Sequence, residues 1–213
     1  MKRLTDEEIA RALNPYNVEA TGLGPLCDQI RVYTDLLLRW NRRISLTTIT
    51  DPLEILRFHF GESLLAIASV PIRHGRLADV GSGAGFPAIP IRMARKDVSL
   101  TLIESNRKKA AFLAEVAREL DLSGVHIHAE RMEDVDDRGL GFDFVTARAV
   151  AIDDIFLHWA NNHLGPSGVI ALWLGRDDSR KISLSSSWKW RDAINIPGTD
   201  RRVILVGSKP LAI

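Results

Sequence analysis

The sequence predicts an α/β fold of the Rossmann-like kind: a mainly parallel seven-stranded sheet, closed by a C-terminal antiparallel hairpin and preceded by an N-terminal helical extension. Two observations predict it. From Arg76 onward, short β-branched apolar runs alternate with segments of helical periodicity, and strands that alternate with helices form right-handed crossovers in a parallel sheet. Near the C-terminus, two apolar runs follow each other without a helix between them, and the loop Pro197-Gly198-Thr199-Asp200 suits an antiparallel turn.

The first third of the chain is predicted to be helical. Thr5-Asp6-Glu7-Glu8 fits a capping box, in which the threonine hydroxyl accepts a backbone N–H and the last glutamate reaches back. Apolar residues at helical spacing predict a helix over 26–40. Asp51-Pro52 is typical of a cap followed by proline in the first turn, so a second long helix is predicted over 52–70.

The remaining elements follow in strand–helix order. Strands are predicted over 77–80, 98–103, 125–129, 142–146 and 168–174, with 188–196 and 201–206 as the hairpin, and helices over 87–95, 106–120 and 153–163. The chain has 213 residues and is 46 % hydrophobic, which is enough for one sizeable core and too little for two full domains. We therefore divide it into a helical extension, residues 1–75, and a main domain, residues 76–213, itself one compact unit.

Composition limits the possible classes of protein. The formal net charge is +1, so nucleic-acid binding has to come from local basic patches. Cys27 is the single cysteine, which excludes an internal disulfide and a cysteine-based metal site. The polar, acidic N-terminus is unlike a signal peptide, and no apolar run is long enough to span a bilayer. We expect a cytoplasmic, monomeric protein with no membrane segment and no metal.

The strongest local motif is Asp79-Val80-Gly81-Ser82-Gly83-Ala84-Gly85, between the first predicted strand and the helix that follows it. Glycines suit a sharp turn and a close approach to a ligand, where a Cβ would clash, so we expect Gly81, Gly83 and Gly85 to line a cofactor. Their spacing differs from the Gly-x-Gly-x-x-Gly of dinucleotide binders. It fits S-adenosylmethionine, which has no pyrophosphate, and Asp79 can meet the ammonium of that cofactor directly or through water. Taken alone, the turn is equally typical of a tight loop.

Polar residues after the later strands extend this motif. Glu104 ends the second strand, roughly 20 residues beyond the turn, where a carboxylate accepts both ribose hydroxyls of an adenosine. Together with the glycine turn it predicts an adenosine site. Met132 and Glu133 follow the third strand, where adenine is expected, and Arg148 follows the fourth, at the sheet edge that binds ligands. The alternative roles are core packing for Met132, a solvated acid for Glu133 and a surface salt bridge for Arg148.

Four stretches of the chain resemble motifs of one known family. Trp40 to Thr47 resembles its Trp-Asn-x-x-x-Asn-Leu-Thr, Arg57 to Leu64 its Arg-His-x-x-Asp-Ser-Leu region, Asp79 to Pro90 its glycine motif with the unusual Phe86-Pro87 and Ile89-Pro90, and Thr146 to Ala149 its Ser-Arg-Ala segment. From about residue 25 to 207, the chain thus resembles the bacterial ribosomal small-subunit guanine-N7 methyltransferases, also known as glucose-inhibited division protein B.

The resemblance implies a fold, a cofactor and a substrate. The fold is that of the class I S-adenosylmethionine-dependent methyltransferases. The family's cofactor residues map onto Gly81, Phe86, Met132, Glu133 and Arg148. The implied reaction transfers a methyl group from S-adenosylmethionine to N7 of a guanine in the 530 loop of 16S rRNA, which gives 7-methylguanosine. The implied partner is 16S rRNA or the small ribosomal subunit.

The chain also departs from the family pattern. Ser45, Glu62 and Ala88 replace the family's second Asn, its Asp and its Gly. Leu172-Trp173-Leu174-Gly175 stands where the family usually has Leu-Lys-Gly after the fifth strand, so a lysine near the active edge is missing. Arg176 is a candidate to replace it. The segment 175–187 looks short, so a helix present in relatives is expected to be reduced.

The chemistry predicted for this site needs no general base. Guanine N7 carries a lone pair in its neutral form, so the enzyme has to align N7 with the methyl group and exclude water. We therefore assign no catalytic acid or base, and Arg148 is a candidate positioning residue beside the cofactor. His59 is the best-placed histidine, and a structural role for it is favoured over that of a base.

Basic and aromatic residues supply candidate contacts with RNA. The Trp-Asn stretch offers Trp40, Asn41, Arg42 and Arg43, with His59 as a further candidate, although Trp40 also suits the core. Basic residues able to meet phosphates are Arg39, Arg42, Arg43, Arg57, Arg92, Arg95, Lys96, Arg107, Lys108 and Lys109. Such runs are also common on solvated faces, and unpaired RNA bases are the usual target of sequence-specific recognition.

Three alternatives share parts of this pattern. A methyltransferase for a small molecule or a protein would have the same cofactor site, and an apolar cap formed by the N-terminal helices would favour it, whereas an open basic face would favour RNA. The missing lysine leaves open a catalytically weakened ribosome-assembly factor that still binds the cofactor. The glycine spacing and the final hairpin, which is the layout of class I methyltransferases, argue against a nicotinamide-dependent oxidoreductase.

Overall fold

The computed structural model describes residues 3–18, 24–70, 72–135 and 141–209. Its strands are β1 (Gly75–Val80), β2 (Val98–Ile103), β3 (Val125–His128), β4 (Phe142–Arg148), β5 (Leu164–Gly175), β6 (Lys189–Trp190), β7 (Ile194–Asn195) and β8 (Arg202–Ser208). The strands β1 to β5 are parallel, and β8 runs antiparallel to β5. The order across the sheet is β3-β2-β1-β4-β5-β8-β6, and β7 also pairs with β8. The predicted class, a mainly parallel α/β sheet with an antiparallel C-terminal edge, is confirmed.

Eight helices surround the sheet within the described ranges. They are α1 (Asp6–Leu13), α2 (Gly24–Asn41), α3 (Pro52–Ile55), α4 (Glu62–Ser69), α5 (Ala88–Ala94), α6 (Arg107–Glu119), α7 (Asp154–His163) and α8 (Arg176–Ser185). The predicted capping box is confirmed, because Thr5 Oγ1 accepts the N–H of Glu8 at 3.2 Å and Glu8 Oε2 accepts that of Thr5 at 2.9 Å. In the part of the chain that the structure describes, no helix combines the length and the apolar character needed to cross a membrane.

The helix predicted over 52–70 changes its hydrogen-bonding pattern in the middle. Asp51 caps its start by accepting the N–H of Glu54 at 2.9 Å, and proline occupies the first turn, as predicted. Between α3 and α4, Leu56–Gly61 is π-helical. Wider turns of this kind occur frequently at functional sites, and this one carries His59, which faces the site described below.

The C-terminal hairpin differs from the prediction in one respect. The single strand expected over 188–196 is divided into β6 and β7, both paired with β8. Trp190 pairs with Gly207 and Ile194 with Ile204, so four residue steps on one strand oppose three on the other. The extra residue is a β-bulge, and over the described residues the sheet has eight strands where seven were expected. The helix expected to be reduced is present as α8, with 10 residues.

Hydrophobic cores lie on both faces of the sheet. Since side chains alternate along a strand, Leu77 joins the core formed with α2 and α6, whereas Ala78 joins the core formed with α7. Residues of α1, α2 and α4 belong to the first core, so the N-terminal helices bury their apolar faces against the main sheet. Alternation also places Asp79, Thr146 and Arg148 on this same face. The division at residues 75 and 76 stays a prediction.

Candidate cofactor and substrate site

The glycine turn joins β1 to α5 at the carboxyl edge of the parallel strands. Gly81, Gly83 and Gly85 have φ values of +68°, +54° and +84°, which residues with a Cβ rarely adopt. A Cβ on Gly81 would collide with Val150, and one on Gly85 with the hydroxyl of Tyr33, whereas one on Gly83 would have only a backbone oxygen at 3.7 Å nearby. Two of the three glycines are therefore required by packing inside the protein, and Gly83 is the one with an open side.

Asp79 lies buried at the end of β1, next to this turn, and one of its two carboxylate oxygens has no hydrogen-bond partner among the described residues. Only 1 % of the residue is exposed. Its Oδ1 accepts the hydroxyl of Thr146 at 2.7 Å, while Oδ2 has no hydrogen-bond partner among the described residues. Burial raises the pKa of Asp79 to about 7, and the hydrogen bond from Thr146 opposes that shift. A buried carboxylate with a free oxygen is costly unless a cation meets it, so the position fits the ammonium group of S-adenosylmethionine.

Glu104 is fixed against the glycine turn. Its Oε2 accepts the N–H of Gly83 at 2.8 Å, and its Oε1 accepts the N–H of Asn106 at 2.8 Å. The residue is 7 % exposed. Because each carboxylate oxygen has two acceptor positions, one on each oxygen remains for a second donor. Two such positions, held rigidly by backbone donors, fit the pair of hydroxyls on a ribose.

Arg148 is held by the π-helical segment. Its Nη1 donates to the carbonyl of Phe58 at 3.0 Å and its Nη2 bonds His59 Nδ1 at 2.7 Å. The guanidinium also lies 3.7 Å from Glu62 Oε2 and 5.7 Å from the ring centroid of Phe86. Burial lowers the pKa of Arg148, against the effect of the nearby carboxylates. The site arginine at the end of β4 is therefore oriented by four partners from other elements.

The bonds of His59 determine which of its nitrogens carries the proton. Arginine can only donate, so Nδ1 accepts from Arg148 and the proton is on Nε2, which donates to Thr47 Oγ1 at 2.8 Å. Burial and the charge of Arg148 lower the pKa of His59 to about 3. The imidazole is neutral and its lone pair is occupied. His59 thus has the geometry of a structural residue, not of a general base.

A cavity of about 260 Å³ opens at the ends of β4 and β5. Its polar lining combines Arg148 with Arg202 and Glu62, and Arg202 Nη2 lies 2.8 Å from Glu62 Oε1. Glu62 is only 2 % exposed, and burial raises its pKa, against the effect of both arginines. Sequence reasoning missed Arg202, because its place beside the cavity depends on the antiparallel pairing of β8. Thr146 could have been found, since it lies two residues before Arg148 on one strand and shares its face.

The residues that replace the family's lysine have other roles. Trp173 is 5 % exposed, and its Nε1 donates to the carbonyl of Glu62 at 3.0 Å, so it packs under the cavity and anchors the start of α4. Arg176 does not replace the lysine. Its Nε donates to the carbonyl of Asp200 at 2.7 Å and its Nη2 to Asn195 Oδ1 at 2.9 Å, so it fastens the hairpin loop.

The remaining predicted residues are spread around this centre. Phe86 is buried, with its ring 5.0 Å from that of Tyr33 and 4.8 Å from that of His59. Met132 is half-buried and Glu133 exposed, on a 3-10 turn after β3 at the same edge of the sheet. Within the described ranges, no side-chain hydrogen bond or ion pair joins the last two to the other candidates, and Met132 packs against the core beneath the sheet edge.

The Trp-Asn stretch combines structural and exposed residues. Asn41 Oδ1 accepts the N–H groups of Leu46 and Thr47 at 2.8 and 3.0 Å, and its Nδ2 donates to the carbonyl of Thr47 at 2.8 Å. Its side chain is thereby engaged inside the protein, where it shapes the loop after α2. Trp40 is half-buried, whereas Arg42 and Arg43 are exposed.

Several solved structures that share this fold are methyltransferases. A ribosomal protein L11 methylase from Lactobacillus delbrueckii subsp. bulgaricus has a TM-score of 0.59 and 19 % identity, covering 72 % of this chain and 79 % of its own. A SAM-dependent methyltransferase from Aquifex aeolicus has a TM-score of 0.60 and 12 % identity, covering 68 % and 88 %. These likenesses show the fold, which is that of class I S-adenosylmethionine-dependent methyltransferases.

Sequence relatives are more specific. The ribosomal RNA small subunit methyltransferase G of Streptococcus pneumoniae serotype 19F is 41 % identical over 145 residues, and the match covers 64 % of this chain and only 61 % of the streptococcal protein. Its namesake in Syntrophotalea carbinolica is 34 % identical over 200 residues, covering 87 % of this chain and 91 % of the relative. The family model described as GidB, rRNA small subunit methyltransferase G, matches residues 26–188. The predicted resemblance is confirmed, and the chain belongs to the rRNA small subunit methyltransferase G family.

Proposed function

We propose that this protein transfers a methyl group from S-adenosylmethionine to N7 of a guanine in 16S rRNA, in the 530 loop. The observation that carries the proposal is the buried carboxylate of Asp79, which has a free oxygen beneath a glycine turn that is itself bonded to Glu104. The names of the relatives support an RNA of the small ribosomal subunit as the substrate. The reaction makes the protein an rRNA methyltransferase of the cytoplasm, where ribosomes are assembled.

The cofactor is assigned to the turn and to the strand ends beside it. Asp79 receives the ammonium group, Glu104 receives the ribose hydroxyls, and Met132 with Glu133 receives the adenine. Gly83, the glycine with an open side, lets the backbone approach the ligand closely, and Gly81 and Gly85 allow the turn to take the shape that this approach needs. Phe86 packs on Tyr33, whose hydroxyl donates to the carbonyl of Ala84 in the turn. When bound, S-adenosylmethionine supplies a methyl group activated by a sulfonium.

The guanine is assigned to the cavity beside Arg148. Arginine is the side chain that most often reads the O6/N7 edge of guanine. For methylation N7 has to stay free, so the role that fits Arg148 and Arg202 is donation to O6. Glu62 holds both guanidinium groups by charge. N7 already has its lone pair, so the reaction needs no base. A neutral His59 with both ring nitrogens hydrogen-bonded is therefore compatible with it, and the protein has only to orient the guanine and exclude water.

Exposed basic residues around the end of α2 and the start of α6 support RNA over a small molecule. Arg39, Arg42 and Arg43 are exposed at the end of α2, and Arg107 and Lys108 are exposed at the start of α6. An apolar lid would suit a small apolar substrate better. Since the net charge of the chain is only +1, these local charges are expected to need help from a protein-bearing particle, and small subunits should be methylated faster than naked 16S rRNA.

The test is transfer of labelled methyl from S-adenosylmethionine to small subunits from a strain that lacks this enzyme, followed by mapping of the modified base. The expected product is 7-methylguanosine in the 530 loop. Asp79→Asn should abolish the labelling, and Asp35→Asn, an exposed position on α2, serves as the matched control. Cofactor binding without label in rRNA would overturn the assigned substrate. Absence of cofactor binding would overturn the whole proposal.

A further inference from the structure

A second concave surface lies outside the site described above. It is a groove between the C-terminal end of α2 and the N-terminal turn of α6, with a volume of about 700 Å³. We name it the α2–α6 groove. Its lining includes Arg39, Trp40, Arg43, Ile44, Arg107 and Lys108. We call the half-buried apolar residues Trp40 and Ile44 its floor, and the exposed cations on the α2 side and on the α6 side its two rims.

The cations of the α2–α6 groove are available for a ligand. Arg39, Arg43, Arg107 and Lys108 are all exposed. Across the described ranges, none of the four side chains makes an ion pair or a hydrogen bond. The carboxylate in the lining, Glu115, accepts the indole N–H of Trp40 at 3.1 Å and is thereby engaged within the floor. The groove therefore presents four exposed cations and a single carboxylate to its surroundings.

Helix stability does not explain the charges on the α6 side. The first turn of α6 contains no acid, and it carries Arg107 and Lys108, where the positive end of the helix dipole disfavours cations. Among the other helices, α1, α3, α4, α7 and α8 have acids in their first turns, whereas α2 and α5, like α6, have none. Positions at which a sequence works against local stability are often functional. On the other rim, the charges at the end of α2 agree with the dipole but still lack partners.

The groove is connected to the proposed methylation site on both sides. On the α6 side, Glu104 accepts the N–H of Asn106 at 2.8 Å, immediately before the first groove residue of that helix. On the α2 side, Asn41 holds Thr47, and Thr47 bonds His59 at 2.8 Å beside the cavity. The loop after α2 runs from the groove residues Arg43 and Ile44 to Ile49, which lines the cavity, so one loop borders both surfaces.

We propose that the α2–α6 groove binds a single-stranded segment of RNA next to the target guanine. The phosphates contact the cations of both rims, and a base packs on the exposed part of Trp40 and on Ile44. Sites for single-stranded nucleic acid combine a positive groove with aromatic side chains in this manner. This inference rests on the proposed function, because it names the surface through which that RNA is held.

The test compares two double variants that lose the same charge. Arg43→Gln with Lys108→Gln removes one cation from each rim, and Arg73→Gln with Arg191→Gln removes two exposed arginines that line a different pocket. Binding of a short single-stranded RNA of mixed sequence is measured between about 50 and 200 mM salt. The plot of log K against log salt has a negative slope, and the groove variant should make that slope less steep by about 1.4, at about 0.7 per lost phosphate contact. The control variant should leave the slope unchanged.

Methyl transfer to small subunits gives a second measurement. The groove variant should raise KM about tenfold or more with kcat nearly unchanged.

Each other outcome decides against the inference. Equal slopes and equal KM values for the two double variants, with an active wild type, would overturn the groove while leaving the proposed function intact. Polyglutamate that binds as tightly as the RNA, and loses affinity equally in the groove variant, would make the surface a site for acidic protein. Wild-type protein that labels no rRNA would instead refute the proposed function itself.

Photo-crosslinking with RNA that contains 4-thiouridine tests the base that packs on Trp40 and Ile44. A crosslink should fall on residues 40–44, and crosslinks that all fall outside these residues would count against that packing.

Discussion

Replacing Asp79 by asparagine should change the pH dependence of stability in a defined direction. The variant keeps an oxygen to accept the hydroxyl of Thr146, which lies 2.7 Å from Oδ1, and it removes a negative charge from a position that is 1 % exposed. In the wild type, burial raises the pKa of this carboxyl from 3.8 to about 7. The folded state therefore holds the proton more tightly than the unfolded state.

The sign follows from the linkage of protonation to folding. Between the unfolded and folded pKa values, here 3.8 and about 7, the folded protein binds more protons than the unfolded chain, so raising the pH lowers its stability. The contribution that Asp79 makes to the free energy of unfolding is fully present below the pKa of the unfolded state, 3.8, and is lost as the pH rises through the pKa of the folded state, about 7. Fully ionised, the carboxylate costs about 4 kcal/mol, and from about pH 5 to pH 8 the change is about 3 kcal/mol.

Urea unfolding without cofactor tests this at both pH values. The free energy of unfolding of Asp79→Asn minus that of the wild type should increase by about 3 kcal/mol from about pH 5 to pH 8. Asp35→Asn, on the exposed side of α2, should show no such increase. A difference for Asp79→Asn that is the same at both pH values would refute the reasoning, because the carboxyl would then ionise without cost in the folded state.

Three further predictions concern the same centre. Glu104→Gln should weaken S-adenosylmethionine binding about tenfold to hundredfold by calorimetry, because a charged acceptor is lost; unchanged affinity would remove Glu104 from the site. The pH profile of kcat/KM should lack a histidine limb near neutrality, because burial lowers the pKa of His59 to about 3; a limb that disappears in His59→Gln would contradict this. Gly85→Ala should lower Tm more than Gly124→Ala, since both glycines have positive φ but only the first would collide with Tyr33; equal losses would show that the collision is relieved.

The local pattern of the sequence predicted most of the fold. Strands and helices alternate where β-branched runs and helical periodicity alternate, and the caps at Thr5 and Asp51 are local chemistry between residues three positions apart. The bulge between β6 and β7 was not predicted, because it depends on register against β8, which lies beyond any local pattern. The π-helical turn within 52–70 has no signal in the apolar spacing.

By itself, the sequence determined the parallel sheet, the glycine turn and the candidate cofactor residues at its edge, because each follows from spacing along one or two adjacent elements. Only the tertiary structure decided which groups meet across long separations. Arg148 bonds His59, Arg202 reaches Glu62, and Trp173 bonds the backbone at Glu62. These contacts depend on how the helical extension and β8 pack against one sheet edge. The charge states of Asp79 and His59 follow from that burial, which no short stretch of sequence specifies.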